Sequence, residues 1–304
     1  MAGKRKRTET DETTEKTGLA EVRVGKLAKP QLALSVGALE RELLARFPAA
    51  DGEDWDHNGL LVGDPAAPVT AVALALDPTV EAVRQAKAAG ANVLLTHHPA
   101  FLAAPAAFGP GESDLDGPGA VVWAAITSGV ALISLHTALD VSLEAARVLP
   151  GMLGLTYLSV VEPLEADGRK GYGQLCAVKP ADAPFTLGRL AARCTAVFGR
   201  PPRVWGSFDR PLAKVVTATG SASDLAGRCL RLAADCLVCG EVRYHDALAA
   251  RAAGLSVIDL GHDVSELPLV ALLAAALAAI GLPEEAVTVI NQQDNWAYPE
   301  SVRI

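Results

Sequence analysis

This chain is short of positive charge. Its 27 Lys and Arg residues face 35 Asp and Glu, for a formal net charge of −8, which removes any global electrostatic case for nucleic acid or an anionic membrane as partner. It also lacks a convincing membrane span. The longest apolar candidate, Leu267 to Ile280, is interrupted by Pro268, rich in alanine and followed by Gly281-Leu282-Pro283, so it reads as a buried helix. No signal peptide is expected, because Lys4-Arg5-Lys6-Arg7 leads into Thr/Glu-rich sequence rather than an apolar core. Cysteine is scarce and odd in number: five thiols, mostly in apolar context, suit a reducing cytoplasm. Cys236-Leu237-Val238-Cys239 is a lone CxxC without a second pair, and it reads as buried cysteine rather than a zinc ribbon or redox motif. Phosphate loops are missing too. Gly59-Leu60-Leu61-Val62-Gly63 and Gly171-Tyr172-Gly173 carry neither a Walker lysine nor GxGxxG spacing, which leaves them as turn glycines.

What is present is a chain of 304 residues, half of them apolar, enough for one large or two ordinary domains. Residues 1–29 are charged, Thr-rich and without hydrophobic periodicity, and are expected to be a disordered tail. A helix is predicted from Leu34 to Phe47, ended by Pro48. The polar loop Trp55-Asp56-His57-Asn58 then enters a short strand. A strand over Val69–Leu76, a helix over Pro78–Ala89 with Pro at its start, and the strand ending in His97-His98 come next. A Pro/Gly-rich loop of binding-loop length runs from Pro99 to about Gly117. A helix over Gly119–Ser128, a strand ending at His136 and a helix over about Ser142–Leu149 complete a first half. The second half begins near Tyr157, with strands at 171–178, 214–219 and 235–238, helices at 185–198 and up to Ala253, and a strand ending at His262 before the helix to Ile280. The fold expected is α/β: two related lobes, residues 30–150 and 151–304, with mixed sheets flanked by helices and a site between them at strand C-terminal ends.

Four of the six histidines define that site. Val93-Leu94-Leu95-Thr96 runs into His97-His98; Ala131-Leu132-Ile133-Ser134-Leu135 runs into His136 and then Asp140; Leu255 to Gly261 runs into His262 and then Glu266. Each run follows a glycine (Gly90, Gly129, Gly254) that ends a helix-compatible stretch. Imidazole with carboxylate fits divalent transition metals such as Zn, Fe, Mn, Co or Ni. The pairs His136/Asp140 and His262/Glu266 are spaced i, i+4, so one helical turn puts each pair on one face. In an extended strand His97 and His98 would point to opposite sides, but at a strand end the turning chain lets each serve a different ion. The glycine-to-histidine offset of eight residues recurs at Gly90/His98 and Gly254/His262, and both duplication and generic strand–helix grammar account for it. Two readings also stand for His57, as surface loop or pocket residue, and for His245, as substrate-facing residue or helix cap.

Several of these segments together resemble a known family. Trp55-Asp56-His57-Asn58-Gly59-Leu60-Leu61-Val62-Gly63, Thr96-His97-His98-Pro99, Leu135-His136-Thr137-Ala138-Leu139-Asp140, Gly240-Glu241-Val242-Arg243-Tyr244-His245-Asp246-Ala247 and Gly261-His262-Asp263-Val264-Ser265-Glu266 are similar, in that order, to motifs of the Nif-three-like dinuclear metal-centre proteins. Bacterial members of that family are often labelled GTP cyclohydrolase type 2 homologues. The resemblance implies that His97, His98, Asp140, His262 and Glu266 ligate two divalent metal ions per subunit, with Asp140 and Glu266 as bridges. It implies that His136 and His245 line the pocket, where either could act as general acid or base. It also implies a toroidal homohexamer and, from the separation of 122 positions between Asp140 and His262, the short form without an inserted domain. His57-Asn58 and the charged tail depart from the family pattern; neither touches an implied ligand.

The function this implies is metal-dependent hydrolysis of a small-molecule substrate, a nucleotide among the candidates, in the cytoplasm. The rival is a non-enzymatic metal-binding hexameric scaffold or regulatory adaptor. An open coordination position separates the first from the second.

Overall fold

The computed structural model describes residues 34–110, 117–165, 168–182, 184–293 and 295–299; the segment 1–29, expected to be a disordered tail, lies outside them. α1 (Val36–Arg46) is opened by Ser35, whose hydroxyl accepts from the Ala38 amide at 3.2 Å. β1 (Gly59–Val62), β2 (Val72–Ala75), α2 (Val80–Ala88), β3 (Val93–Thr96), α3 (Pro118–Ser128) and β4 (Ala131–Ser134) follow. α2 starts later than the sequence suggests. Thr79 is its cap, accepting from the Ala82 amide at 3.0 Å, and Pro78 lies before the cap rather than in the first turn. Gly129 ends α3 in the left-handed region at φ 65°, and the chain turns there into β4. β2, β3 and β4 are parallel, and β1 pairs antiparallel with β4. Both faces of these strands are covered. Val72, Leu74, Val93 and Leu95 pack with α1, while Ala73, Ala75 and Leu94 pack with α2 and α3. That double burial is why the strands read as continuous apolar runs.

Past two short helical pieces, α4 (Thr137–Asp140) and α5 (Val148–Met152), the chain builds a second sheet. Its elements are β5 (Thr156–Pro163), β6 (Gly171–Ala177), α6 (Leu187–Phe198), β7 (Arg203–Trp205), β8 (Lys214–Thr217), α7 (Ala226–Arg231), β9 (Cys236–Cys239), α8 (Tyr244–Ala252), β10 (Ser256–Asp259) and α9 (His262–Glu266). The strand order is β5-β6-β8-β9-β10-β7, with β8, β9 and β10 parallel. Both sheets therefore contain one antiparallel strand followed by three parallel ones: β1-β4-β3-β2 in the first, β7-β10-β9-β8 in the second. This makes β4 the counterpart of β10. The matching residues are His136/Asp140 and His262/Glu266, and the His98/His262 echo joins strands at different places in their sheets. Cys236 and Cys239 face different core clusters across β9, so the CxxC is no paired site, and all five cysteines are buried and free.

The expected second lobe of 151–304 gives up its end to the first. α10 (Leu269–Ile280) places Leu269, Val270, Leu273, Ala276 and Leu277 in the core with α1, and β11 (Val287–Val289) pairs parallel with β2. Without that return the β2 edge would keep an unpaired ladder and α1 an uncovered face. The stretch His262–Ile280 is long and apolar enough to cross a membrane by length and composition alone. Here it divides at Leu267-Pro268 into α9 and α10, and α10 is a core helix.

Candidate metal centre

The first sheet ends in His97, His98 and His136, and the second in Gly220, Glu241, His262 and Glu266; the two sets meet. β3 stops at Thr96, so His97 and His98 escape strand alternation and turn to the same site, their ring centroids 5.0 Å apart. The His98 ring lies 5.6 Å from that of His262 and 5.5 Å from that of His136. α9 is one short turn, which brings His262 Nε2 to 3.1 Å from Glu266 Oε2.

A common device orients all four rings. Nδ1 of His97 lies 3.0 Å from the Leu135 carbonyl, Nδ1 of His98 2.7 Å from Asp77, Nδ1 of His136 2.9 Å from Asp56, and Nδ1 of His262 3.1 Å from Glu241. With an acceptor at every Nδ1, the proton of the neutral ring belongs there, and Nε2 carries the lone pair that a metal would take. Three overlapping sets of donor atoms lie within 4.8 Å of one another: His97/His98/His136, His98/His262/Glu266 and His97/Asp140/Glu266. Metal–ligand bonds of about 2 Å hold two donors on one ion at most about 4 Å apart, so a closure of under about 1 Å suffices. His97 Nε2 is buried without a hydrogen-bond partner, and Glu266 Oε2, equally buried, has the Nε2 atoms of His98 and His262 beside it. A buried polar atom left without a partner is costly, and a cation beside His97 Nε2 would satisfy it. The residues fit a metal ion.

The electrostatics agree. Burial pushes the Glu266 carboxyl up, but His262, His97 and His98 around it outweigh that and hold it well below the carboxylate range. Burial pushes His98 down, yet Asp77 and Glu266 raise it to about 10. Glu266 raises His262 to about 9 against a smaller opposing effect of burial. In the metal-free protein, protons thus supply the positive charge that Glu266 demands, and metal uptake releases them. Asp140 is pushed up, first by burial; its Oδ1 accepts from Thr219 at 3.0 Å and lies 3.7 Å from His97 Nε2.

Gly220 lets Glu266 approach the end of β8. At φ 57° it is left-handed, and a Cβ there would sit 2.4 Å from Glu266 Oε1. The Trp55–Asn58 loop braces the other side. Asp56 takes bonds from His136, from the Thr137 amide at 3.0 Å and hydroxyl at 2.5 Å, and from Asn58 at 2.8 Å, and the Trp55 ring meets that of His136 at 6.0 Å.

The structure therefore gathers His97, His98, Asp140, His262 and Glu266, and places His136 among the donors too. It does not bring in the remaining two. His57 is exposed, with Nε2 3.1 Å from the Leu102 carbonyl, and His245 is exposed on the first turn of α8 against Tyr244; neither belongs to a donor set. Asp77 and Glu241 escaped the sequence reading, although each follows an apolar strand as the histidines do. Thr219 and the Leu135 carbonyl carry no such signal.

Comparison with known proteins places this geometry. The model of a family described as Duf34/NIF3 (NGG1p interacting factor 3) matches residues 35–295. A Streptomyces coelicolor protein named GTP cyclohydrolase 1 type 2 homolog is 31% identical over 260 residues, 83% of this chain and 87% of the relative. A Staphylococcus aureus hypothetical protein superposes with a TM-score of 0.77 at 24% identity, covering 88% of this chain and 99% of that one. A Bacillus cereus protein related to NIF3 gives 0.74 at 19% identity, covering 85% and 96%. At those identities the two structures speak for the fold alone.

Proposed function

The chain belongs to the Duf34/NIF3 family, and from that premise we propose that it binds two divalent transition-metal ions and uses them to hydrolyse a small-molecule substrate. One observation carries the reading: Glu266 faces two ways. Its Oε1 lies 3.8 Å from His97 Nε2, and its Oε2 lies 2.9 Å from His98 Nε2 and 3.1 Å from His262 Nε2. A carboxylate can bridge two cations where an imidazole binds one. On this reading His98, His262 and Glu266 hold one ion, and His97, Asp140 and Glu266 the other. Asp140, the second bridge that the family resemblance implies, belongs to one donor set and Glu266 to two. Two divalent ions held there supply Lewis acidity and make water a nucleophile near neutral pH. Each set offers three protein donors, one fewer than a closed structural site, which favours an enzyme over a scaffold.

The chain's own residues supply the rest. Asp56 holds His136 with Nε2 toward the donors, where it serves as a further ligand or as proton acceptor. His245 is exposed and outside every donor set; the family resemblance, rather than its position here, assigns it proton transfer to substrate. The name of the Streptomyces coelicolor relative makes a nucleotide the first substrate class to test. A cytoplasmic location and a closed hexamer belong to the same proposal.

The test is metal-reconstituted protein assayed on nucleotides and phosphoesters, with metal content measured on each variant. Glu266→Ala is expected to lose both ions, Asp140→Ala about one, and Cys236→Ser none. His245→Ala should lower turnover by about a hundredfold at normal metal content. Equal metal in all variants sinks the ligand assignment. Full loading without metal-dependent turnover on any substrate makes the scaffold the better reading.

A further inference from the structure

β11 leaves the first sheet early. Its last ladder contact is the Ile290 amide on the Leu74 carbonyl at 2.8 Å, and the backbone then departs, while the chain beyond the end of β2 continues into Leu76 and Asp77. The Gln292 side chain takes over as the partner. Its Oε1 accepts from the Leu76 amide at 2.7 Å and from the Asp77 amide at 2.9 Å, and its Nε2 donates to the Asp77 carbonyl at 3.0 Å. The side chain is buried, with 6% of the residue accessible, and all of these bonds reach across more than 210 residues of chain. The amide therefore grips both main-chain groups of Asp77. Asp77 in turn holds Nδ1 of His98 at 2.7 Å.

We infer that Gln292 is a positioning residue for one of two inequivalent metal positions: it fixes Asp77, Asp77 fixes the His98 ring, and His98 holds the ion it shares with His262. The inference rests on the two-ion reading above. The other position does not depend on Gln292, because the His97 ring is fixed by the Leu135 carbonyl and His97 is fully buried. His98 and His262 are instead fixed by the carboxylates of Asp77 and Glu241, and the His262 side chain is 41% accessible. The chain thus has a deeply buried ion position and a more open one. The segment after β11 controls the open one. Loss of an orienting partner costs metal affinity about 10–100-fold, and a partner one step further out belongs at the lower end of that range.

The test titrates Zn²⁺ and Co²⁺, in competition with a chelator, against metal-stripped full chain as wild type, Gln292→Ala, Gln292→Met, Asp77→Ala and the Gln292→Ala/Asp77→Ala double variant. Thermal melts of the metal-free proteins run alongside; Gln292→Met fills the space if alanine compromises folding. Two classes of ion are expected in wild type. The Gln292 variants should weaken one class about tenfold and leave the other within about twofold. The double variant should be no weaker than Asp77→Ala alone, since a residue acting through Asp77 has nothing to lose once Asp77 is gone. Equal weakening of both classes in step with a lower melting temperature makes Gln292 a structural residue only and overturns the inference. So does additivity in the double variant, or unchanged affinity. If wild type takes up one class of ion or none, it is the two-ion reading that fails first.

Discussion

At the scale of residues, the centre depends on groups that aim other groups. Asp56 is the clearest: burial raises its carboxyl, but bonds from His136 and Thr137 outweigh that and hold it well below the ordinary carboxylate range. A depressed folded-state value means stability that is present above the unfolded value of about 4 and lost as pH falls toward the folded one. Asp56→Asn should therefore cost about 1–3 kcal/mol at pH 7, with the gap to wild type narrowing below about pH 4. Urea unfolding at pH 7 and at pH 3 measures this; a gap of the same size at both would refute it. Residue types that ligate were legible as polar residues ending apolar strands, and the same rule would have found Asp77 and Glu241. Gln292 was not legible, because its partners lie more than 210 residues away and a side-chain amide has no local pattern.

At the scale of elements, the ligands stand where strands stop. His97 and His98 share one site because β3 ends at Thr96, and Glu266 reaches it because α9 is a single short turn after β10. Close approach of the two sheet ends requires Gly220. Gly220→Ala is expected to push Glu266 aside and weaken metal binding by about tenfold or more, whereas Gly254→Ala, also at positive φ but with nothing within 4 Å of the added Cβ, should cost about 1 kcal/mol of stability and leave metal affinity alone. Chelator competition and thermal melts on the pair decide it; similar metal affinities in the two variants would rule out the steric account. Strand and helix alternation was legible from apolar runs and glycine stops. β5, β7 and β11 were missed: β7 and β11 are three residues each, too short for a periodic signal, and β5 is an edge strand whose burial does not alternate.

At the scale of the whole molecule, Trp123 and Ile126 on α3 and Leu158 on edge strand β5 are exposed, and contact with further copies of the chain would cover such surface. A closed homo-oligomer, the hexamer of the family resemblance, is the expected state at micromolar concentration. Light scattering that reports a monomer there contradicts it. The sequence by itself determined the α/β alternation, the recurrence of histidine and carboxylate at strand ends, and the family, because each is written in near-neighbour spacing: a period of two or 3.6 residues, a stop, a polar residue after it. Only the tertiary structure decided that α10 and β11 return to the first lobe, that β4 rather than β3 is the counterpart of β10, and that Glu266 faces two donor sets at once. Those facts depend on which apolar face covers which, and an apolar face is complementary to many others. The choice among them is made by the packing of the whole chain, where every ladder edge and buried polar atom has to be satisfied together.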